Sequence, residues 1–182
     1  MERSAPRAWK RWVGAALVVA VLAGALFVPM PAGVTRIVSV VDIARPPAEV
    51  YAYVTTPAKW PLWHPSSLGV SGDAGHSLNV GETVDEDFQV AGRRGRATWR
   101  VTVREHDRLW RIAGQINGRD AGIVSYSVAP IDGGGTHFVR TFEYRAHSLL
   151  FAFLNAVTLR RQIEEESAQA VRQLKANLER EG

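Results

Sequence analysis

The spacing of hydrophobic residues along the 182-residue chain changes twice, and each change predicts a different kind of element. Residues 13–28 (VGAALVVAVLAGALFV) carry no charge and no strong polar group, the pattern of a helix that is apolar on every side. Thr35 to Ala44 is rich in β-branched residues and predicts a first strand. Pro46-Pro47-Ala48-Glu49-Val50 starts a helix, because proline is tolerated in a first turn and Glu49 suits the helix dipole. Val50, Tyr53 and Val54 share one of its faces. Thr55 to Pro65 contains Pro57, Pro61 and Pro65, which leaves room for a short helical turn and then a loop.

Beyond this point the period falls to two. Leu68 to Gly72 and Glu82 to Val90 read as strands, with Gly92-Arg93-Arg94-Gly95 as the following hairpin. In Arg96 to Glu105, Ala97, Trp99, Val101 and Val103 alternate with Thr98, Arg100, Thr102 and Arg104. Such alternation predicts a sheet with one wet and one covered face. His106-Asp107-Arg108 turns the chain into Leu109 to Ile116. Ile123 to Pro130 and Thr136 to Arg145 form the last hairpin through Asp132-Gly133-Gly134-Gly135. Strands this closely spaced need no crossover, so the sheet is antiparallel.

Helical spacing returns from Ser148 to Glu181. Leu150, Phe153, Leu154 and Val157 lead into Ile163, Ala170, Val171, Leu174 and Leu178, opposite Arg161, Glu165, Arg172, Lys175 and Glu179. The predicted class is α+β: a curved antiparallel sheet wrapped around a long C-terminal helix, preceded by an N-terminal transmembrane helix.

Charge refines this division. The formal net charge is +4, but residues 1–12 hold Arg3, Arg7, Lys10 and Arg11 against Glu2. The rest of the chain then carries 22 − 4 = 18 basic and 18 − 1 = 17 acidic residues. A near-neutral domain lacks the cation excess that tracks phosphates, so no nucleic-acid partner is expected. The boundaries read as a basic flank (1–12), a transmembrane anchor or signal segment (13–30), a linker (31–34) and one domain (35–181). Cations before the apolar run predict a single-pass membrane protein with a cytoplasmic N-terminus and an extracytoplasmic domain. A cleaved secretory signal has the same polarity and a small-residue site at Ala23-Gly24-Ala25, and would leave a secreted domain.

The stretch VDIARPPAEVYAYVTTPAKWPLWHP, with Trp60 and Trp63 in its turn, and the terminal LRRQIEEESAQAVRQLKANLE carry a family resemblance. Over about residues 35–180 the chain resembles the START-like, or SRPBCC, superfamily, which includes polyketide cyclase/dehydrase-like proteins. The resemblance implies the helix-grip fold and a ligand held between the sheet and the long helix. It leaves the activity open, because members bind lipids, sterols, polyketides or hormones and only some are catalysts.

On that layout Trp60, Trp63, Phe88, Trp99, Val101, Trp110, Ile112, Tyr126, Phe142 and Phe153 are the candidate lining of a hydrophobic cavity. Each competes with simple core packing. His64 and Tyr126 are weak catalytic candidates for acid/base work. Asp85-Glu86-Asp87 is an acidic strand cluster, with Asp85 and Asp87 on one face and Glu86 on the other. The chain has no cysteine, and its histidines lack metal-ligand spacing, so neither a metal nor a cofactor is implied. Gly-x-Ser-x-Gly, P-loop and dinucleotide fingerprints are missing. The expected function is a membrane-anchored binding protein for a hydrophobic small molecule or lipid. The alternatives are a cyclase/dehydratase-like enzyme and a protein-interaction module that uses Arg93, Arg94 and Arg96 or the terminal helix.

Overall fold

A computed structural model describes residues 7–29, 33–90 and 92–180. Residues 1–6 of the basic flank, 30–32 around the linker, and 181–182 lie outside them. Among the described residues, seven strands form one antiparallel sheet: β1 (Val34–Ile43), β2 (Ser67–Ser71), β3 (Thr83–Val90), β4 (Arg93–Glu105), β5 (Leu109–Ile116), β6 (Arg119–Pro130) and β7 (Thr136–Arg145). Their order is β1-β7-β6-β5-β4-β3-β2. All neighbours except β1 and β7 are also consecutive in sequence, as short connections require.

Two turns differ from the sequence reading. β4 begins at Arg93 and pairs it with Val90, so the β3–β4 turn is tighter than the expected Gly92–Gly95 hairpin. β6 begins at Arg119 rather than Ile123. Asn117 and Gly118 both hold positive φ (51° and 72°), the backbone of a two-residue hairpin that lets pairing resume at once. Register shifts at Val101/Val103 and Gly114/Gln115 bend the sheet into a concave surface.

Helices close that surface. α1 (Arg7–Ala25) precedes the sheet, and α2 (Pro47–Val54), a 3-10 turn at Pro57–Lys59 and α3 (Trp60–Trp63) bridge β1 and β2. α4 (Leu149–Leu154), a π turn at Asn155–Leu159 and α5 (Arg160–Arg180) follow as one continuous helical path. Ser148 caps it by accepting the Phe151 N–H. α5 buries Ser167, Ala170, Val171, Leu174 and Leu178, a stripe at helical spacing. Its attachment is also polar: Arg45 Nε donates to the Leu178 carbonyl (2.8 Å), Asn177 to that of Leu62 (2.8 Å), and Ser39 Oγ to Ser167 Oγ (2.9 Å). Asn155 in the π turn accepts from the Tyr144 hydroxyl and donates to Thr35, which ties the helical joint to β7 and β1.

The expected transmembrane helix is corrected. α1 contains Arg7, Lys10 and Arg11 and ends at Ala25, before the apolar run does. Its uncharged part, residues 12–25, covers about 20 Å against a bilayer core of about 30 Å. No helix among the described residues is long and apolar enough to cross a membrane. The apolar side chains of α1 are nevertheless exposed: Trp12, Val13, Leu17, Val18, Val19 and Val21 fall on all sides of it.

Candidate functional site: a lined hollow between the sheet and the long helix

The concave face is divided in two. At one end Trp60, Trp63, Trp110, Tyr126 and Phe138 fill the space. Trp110 stacks on Tyr126 at 5.5 Å, Trp63 meets Tyr126 edge-on at 5.9 Å, and Trp60 meets Trp110 edge-on at 6.2 Å. The indole N–H groups of Trp60 and Trp110 donate to the Val54 and Leu78 carbonyls, which fixes both rings. At the other end a cavity of about 250 Å³ remains open, just below the ~300–1,000 Å³ of ordinary small-molecule pockets.

Strand phase decides what lines it. β3 contributes Glu86 and Phe88, β4 Ala97 and Trp99, β5 Ile112 and Ile116, β6 Val124 and Tyr126, and β7 Arg140, Phe142 and Tyr144. α4 contributes Phe151, and α5 contributes Ile163, Glu166 and Ser167. Trp60, His64 and Ser66 complete the inner end. Phe88, Val90, Ile116, Ala121 and Phe151 keep partial exposure and mark the open side beside α4.

Of the residues predicted to line a cavity, Trp60, Phe88, Trp99, Ile112, Tyr126 and Phe142 lie on its wall. Four do not. Trp63 and Trp110, themselves part of the aromatic stack, and Val101 in the same core cluster are sealed in the filled end at 1% exposure or less. Phe153 is 64% exposed; on α4 it lies about 200° around the axis from Phe151, the residue that faces inward.

Small residues give the aromatic wall its shape. Trp99 pairs with Gly114, and Phe88 pairs with Gly95. A Cβ at 114 would come within 2.5 Å of the Trp99 ring, and one at 95 within 2.6 Å of the Phe88 ring. Each ring lies flat across the neighbouring strand where a side chain would otherwise stand.

Beside Tyr144, Ser167 and the pair Ser66–Glu166, in which Ser66 Oγ donates to Glu166 Oε2 at 2.6 Å, four polar groups lie in this apolar wall. Trp99 Nε1 donates to Glu86 Oε2 at 2.7 Å. Burial pushes the Glu86 carboxyl up, against the smaller opposing pull of Ser67, Trp99 and Arg140, although the cavity leaves part of the residue accessible. His64 accepts the Ser66 N–H on Nδ1 (3.3 Å), which assigns the ring proton to Nε2. That Nε2 is sealed from water and has no hydrogen-bond partner among the described residues, although the residue as a whole keeps some exposure. Burial first, and the Arg140 charge second, hold His64 well below 6.5, so it is neutral. Burial pushes Tyr126 up to about 12. It stays protonated at neutral pH, able to donate a hydrogen bond into the hollow.

Arg140 is the fourth, and the residue reading missed it, as it missed Glu86 as an inward group, Ser66 and Ser167. Arg140 is 6% exposed. Its Nη1 donates to Ser167 Oγ at 2.7 Å, and its guanidinium lies 5.8 Å from the Phe142 ring centre. The signal was present in Phe138, Arg140 and Phe142, three alternate positions of one strand. Asp85 and Asp87 point outward as expected of their shared face, toward Thr98 (2.6 Å) and Arg96 (2.7 Å).

The family model described as "Polyketide cyclase / dehydrase and lipid transport" matches residues 34–179. The chain belongs to this family. The match spans the sheet, the bridging helices and α5, so the whole wall of the hollow lies within the family's domain. No curated protein matches the chain in sequence. Among solved structures, the Zhui aromatase/cyclase from Streptomyces sp. R1128 superimposes with a TM-score of 0.65 at 16% identity, over 81% of this chain and 95% of that one. A START superfamily protein from Mycobacterium smegmatis gives 0.58 at 14% identity, over 79% and 98%. A Rhodobacter sphaeroides protein gives 0.60 at 21% identity, over 85% and 98%. At these identities the likeness is one of fold. It is the fold that the sequence resemblance implies.

Proposed function

We propose that this member of the polyketide cyclase/dehydrase and lipid transport family is a carrier or sensor that takes an apolar small molecule into its hollow. The observation that carries the reading is the cavity itself. The interior is tightly filled by aromatic rings at one end, yet about 250 Å³ stays open at the other. Cores normally close such space. An aromatic wall offers a ligand a large apolar area at little rotamer cost.

Trp60 and Trp99 on the wall provide the test. Titration with naphthalene-sized and medium-chain acyl compounds is expected to quench tryptophan emission saturably. Val124→Phe, which fills the hollow, is expected to abolish the quenching. Saturable quenching unchanged in that variant would place binding elsewhere and defeat the reading.

A second reading is an enzyme of the cyclase or dehydratase kind. Glu86 favours it, since burial raises a carboxyl on the cavity wall toward the range of a general acid, with neutral His64 on the same wall. Turnover of a polyketide-like substrate that disappears in Glu86→Gln, with binding retained, would replace the carrier by the enzyme.

Attachment to a membrane belongs to the same proposal. The exposed apolar surface of α1 calls for a lipid environment, and the basic residues before it suit anionic headgroups. The end of α1 also meets the helix at the cavity's open side: Leu150 N–H donates to the Leu26 carbonyl (3.0 Å), and Pro29 bridges to Ser148. Leu149 and Phe153 on α4 and Val157 in the π turn are exposed, so a membrane held by α1 would meet this apolar outer face. The proposed extracytoplasmic placement of the domain is tested by protease treatment of intact and lysed cells. Digestion only after lysis would refute it.

A further inference from the structure

The two edges of the sheet are not protected alike. β2 is a five-residue strand with a register shift beside Gly69, the short, irregular kind of edge that resists further pairing. β1 runs for ten residues without a register shift, and its Val34, Val38 and Val40 side chains are half exposed. Its outer edge has no strand neighbour. In an antiparallel ladder each residue turns both of its peptide groups to the same side. The Lys175 ammonium donates to the Asp42 carbonyl (2.6 Å), and the Ala44 N–H donates to Glu179 (2.8 Å), so the even-numbered residues of β1 face away from β7. α5 covers that end of the edge. No hydrogen bond among the described residues reaches the outward N–H and C=O groups of Arg36, Val38 and Val40.

A groove of about 720 Å³ lies there, between β1 and α5. Five consecutive residues, Arg36 to Val40, line it, so the strand presents its edge to the groove and not one face alone. A row of unpaired peptide groups beside exposed valines is a template for another strand. The residues of β1 say which strand fits. Arg36, Val38, Val40 and Asp42 share the outer face. Reversed on itself about Ser39, this run is its own complement: Val38 stands opposite Val40, and Arg36 opposite Asp42. Directly opposed pairs of this kind, apolar with apolar and cation with anion, stabilise neighbouring strands. Arg36 and Asp42 are exposed and meet Glu143 (3.4 Å) and His137 (2.6 Å) on β7, surface contacts weak enough to be shared.

The closing helix repeats the symmetry. Its path runs in the same direction as β1: Asn155 bonds Thr35, Ser167 bonds Ser39, and Glu179 bonds Ala44. Glu164, Ala168 and Arg172, spaced four residues apart, line the groove from the α5 side. An axis that reverses β1 about Ser39 passes beside Ala168 and turns Glu164 of one copy toward Arg172 of the other. Two elements of unrelated sequence thus share one centre of self-complementarity, which a partner of different sequence would not require. We propose that the β1 edge is a self-association surface, on which two copies of this chain pair antiparallel about Ser39 into a two-fold dimer with one continuous sheet. Such a contact uses the same patch on both copies and occupies both β1 edges at once.

Sedimentation equilibrium of the full chain in density-matched detergent tests this, and a monomer–dimer equilibrium at micromolar concentration is expected. Arg36→Asp and Asp42→Arg each oppose like charges twice and are expected to weaken the dimer about tenfold. Combining the two restores both pairs and is expected to restore the dimer. The chain has no cysteine, so thiol pairing reads the register. Val38→Cys mixed with Val40→Cys is expected to give a disulfide-linked heterodimer, with little linkage in either variant alone. If a charge variant does not fold, this pair decides the matter. A monomer at every concentration would overturn the proposal. So would a dimer that the single charge variants leave unchanged, which would place the contact elsewhere, and so would linkage as strong in one cysteine variant alone as in the mixture. A Val38→Cys thiol shielded from maleimide in membranes, while the purified chain is monomeric, would give the edge to another protein and overturn the second copy.

Discussion

Trp99 and Gly114 face each other across β4 and β5, and the indole occupies the space that a side chain at 114 would need. The same ring donates to Glu86. One glycine therefore sets the position of an indole on the cavity wall and of the carboxylate it holds. Gly114→Ala places a methyl against the ring and must displace it. The expected cost is about 1–3 kcal/mol of stability, with ligand affinity reduced because the displaced ring enters the hollow. Denaturant melts and the tryptophan titration check both effects. An unchanged titration would show that the wall accommodates the methyl.

Two buried groups give opposite pH dependences. His64 is held below its ordinary value in the folded state. The unfolded chain therefore binds its proton first, and the His64 contribution, complete above about pH 6.5, is lost as pH falls toward the depressed folded value. Glu86 is raised. Its contribution is complete below about pH 4.5 and is lost as pH rises through the folded value. Thermal melts between about pH 4 and 8 are expected to show His64→Gln relieving the acid-side loss and Glu86→Gln stabilising only toward neutral pH. The reverse assignment would show that burial is not the dominant cause.

The closing helix depends on a narrow contact stripe. Leu174 is fully buried in the core cluster, on the α5 face toward the sheet. Leu174→Ala is expected to cost about 2–5 kcal/mol. Leu149→Ala, at an exposed position of α4, is expected to change stability by no more than about 0.5 kcal/mol. Urea unfolding of both distinguishes a closing helix from a peripheral one.

Much of this architecture was legible in the chain. Period-two runs gave the sheet, a 3.6-residue stripe gave α5, and the Pro-Ala-Glu-Val start gave α2. The apolar run 13–28 was misread in length, since composition shows where charges stop but not where helical backbone ends at Ala25. Alternation placed Trp99 and Ile112 on the concave face, but it does not tell cavity wall from filled core. Val101 and Ile112 are paired neighbours with the same phase, and only Ile112 meets the hollow. That distinction depends on how far the Trp60–Trp63–Trp110 stack extends, a matter of three-dimensional packing. Arg140 was passed over because its charge suggests a surface, although both apolar neighbours at i ± 2 put it inside.

Removal of residues 1–33 tests the role of α1. The hydrogen bond and bridge that link its end to α4 are few beside the sheet and α5 packing. The shortened chain is expected to keep its melting temperature within a few degrees and to lose its partition into vesicles containing anionic lipid. Partition retained without these residues would move the lipid contact to the domain.

The hollow itself is most directly examined by methyl NMR during titration with 2-naphthoate and 2-naphthamide. Saturable shifts are expected at Ile112, Ile116, Val124 and Ile163, which meet the cavity, and not at Val50, Val54 or Leu178 in the filled core. Shifts confined to exposed Val38 and Val40, or none at the four cavity residues, would contradict the claim that sheet and helix enclose a space for a ligand.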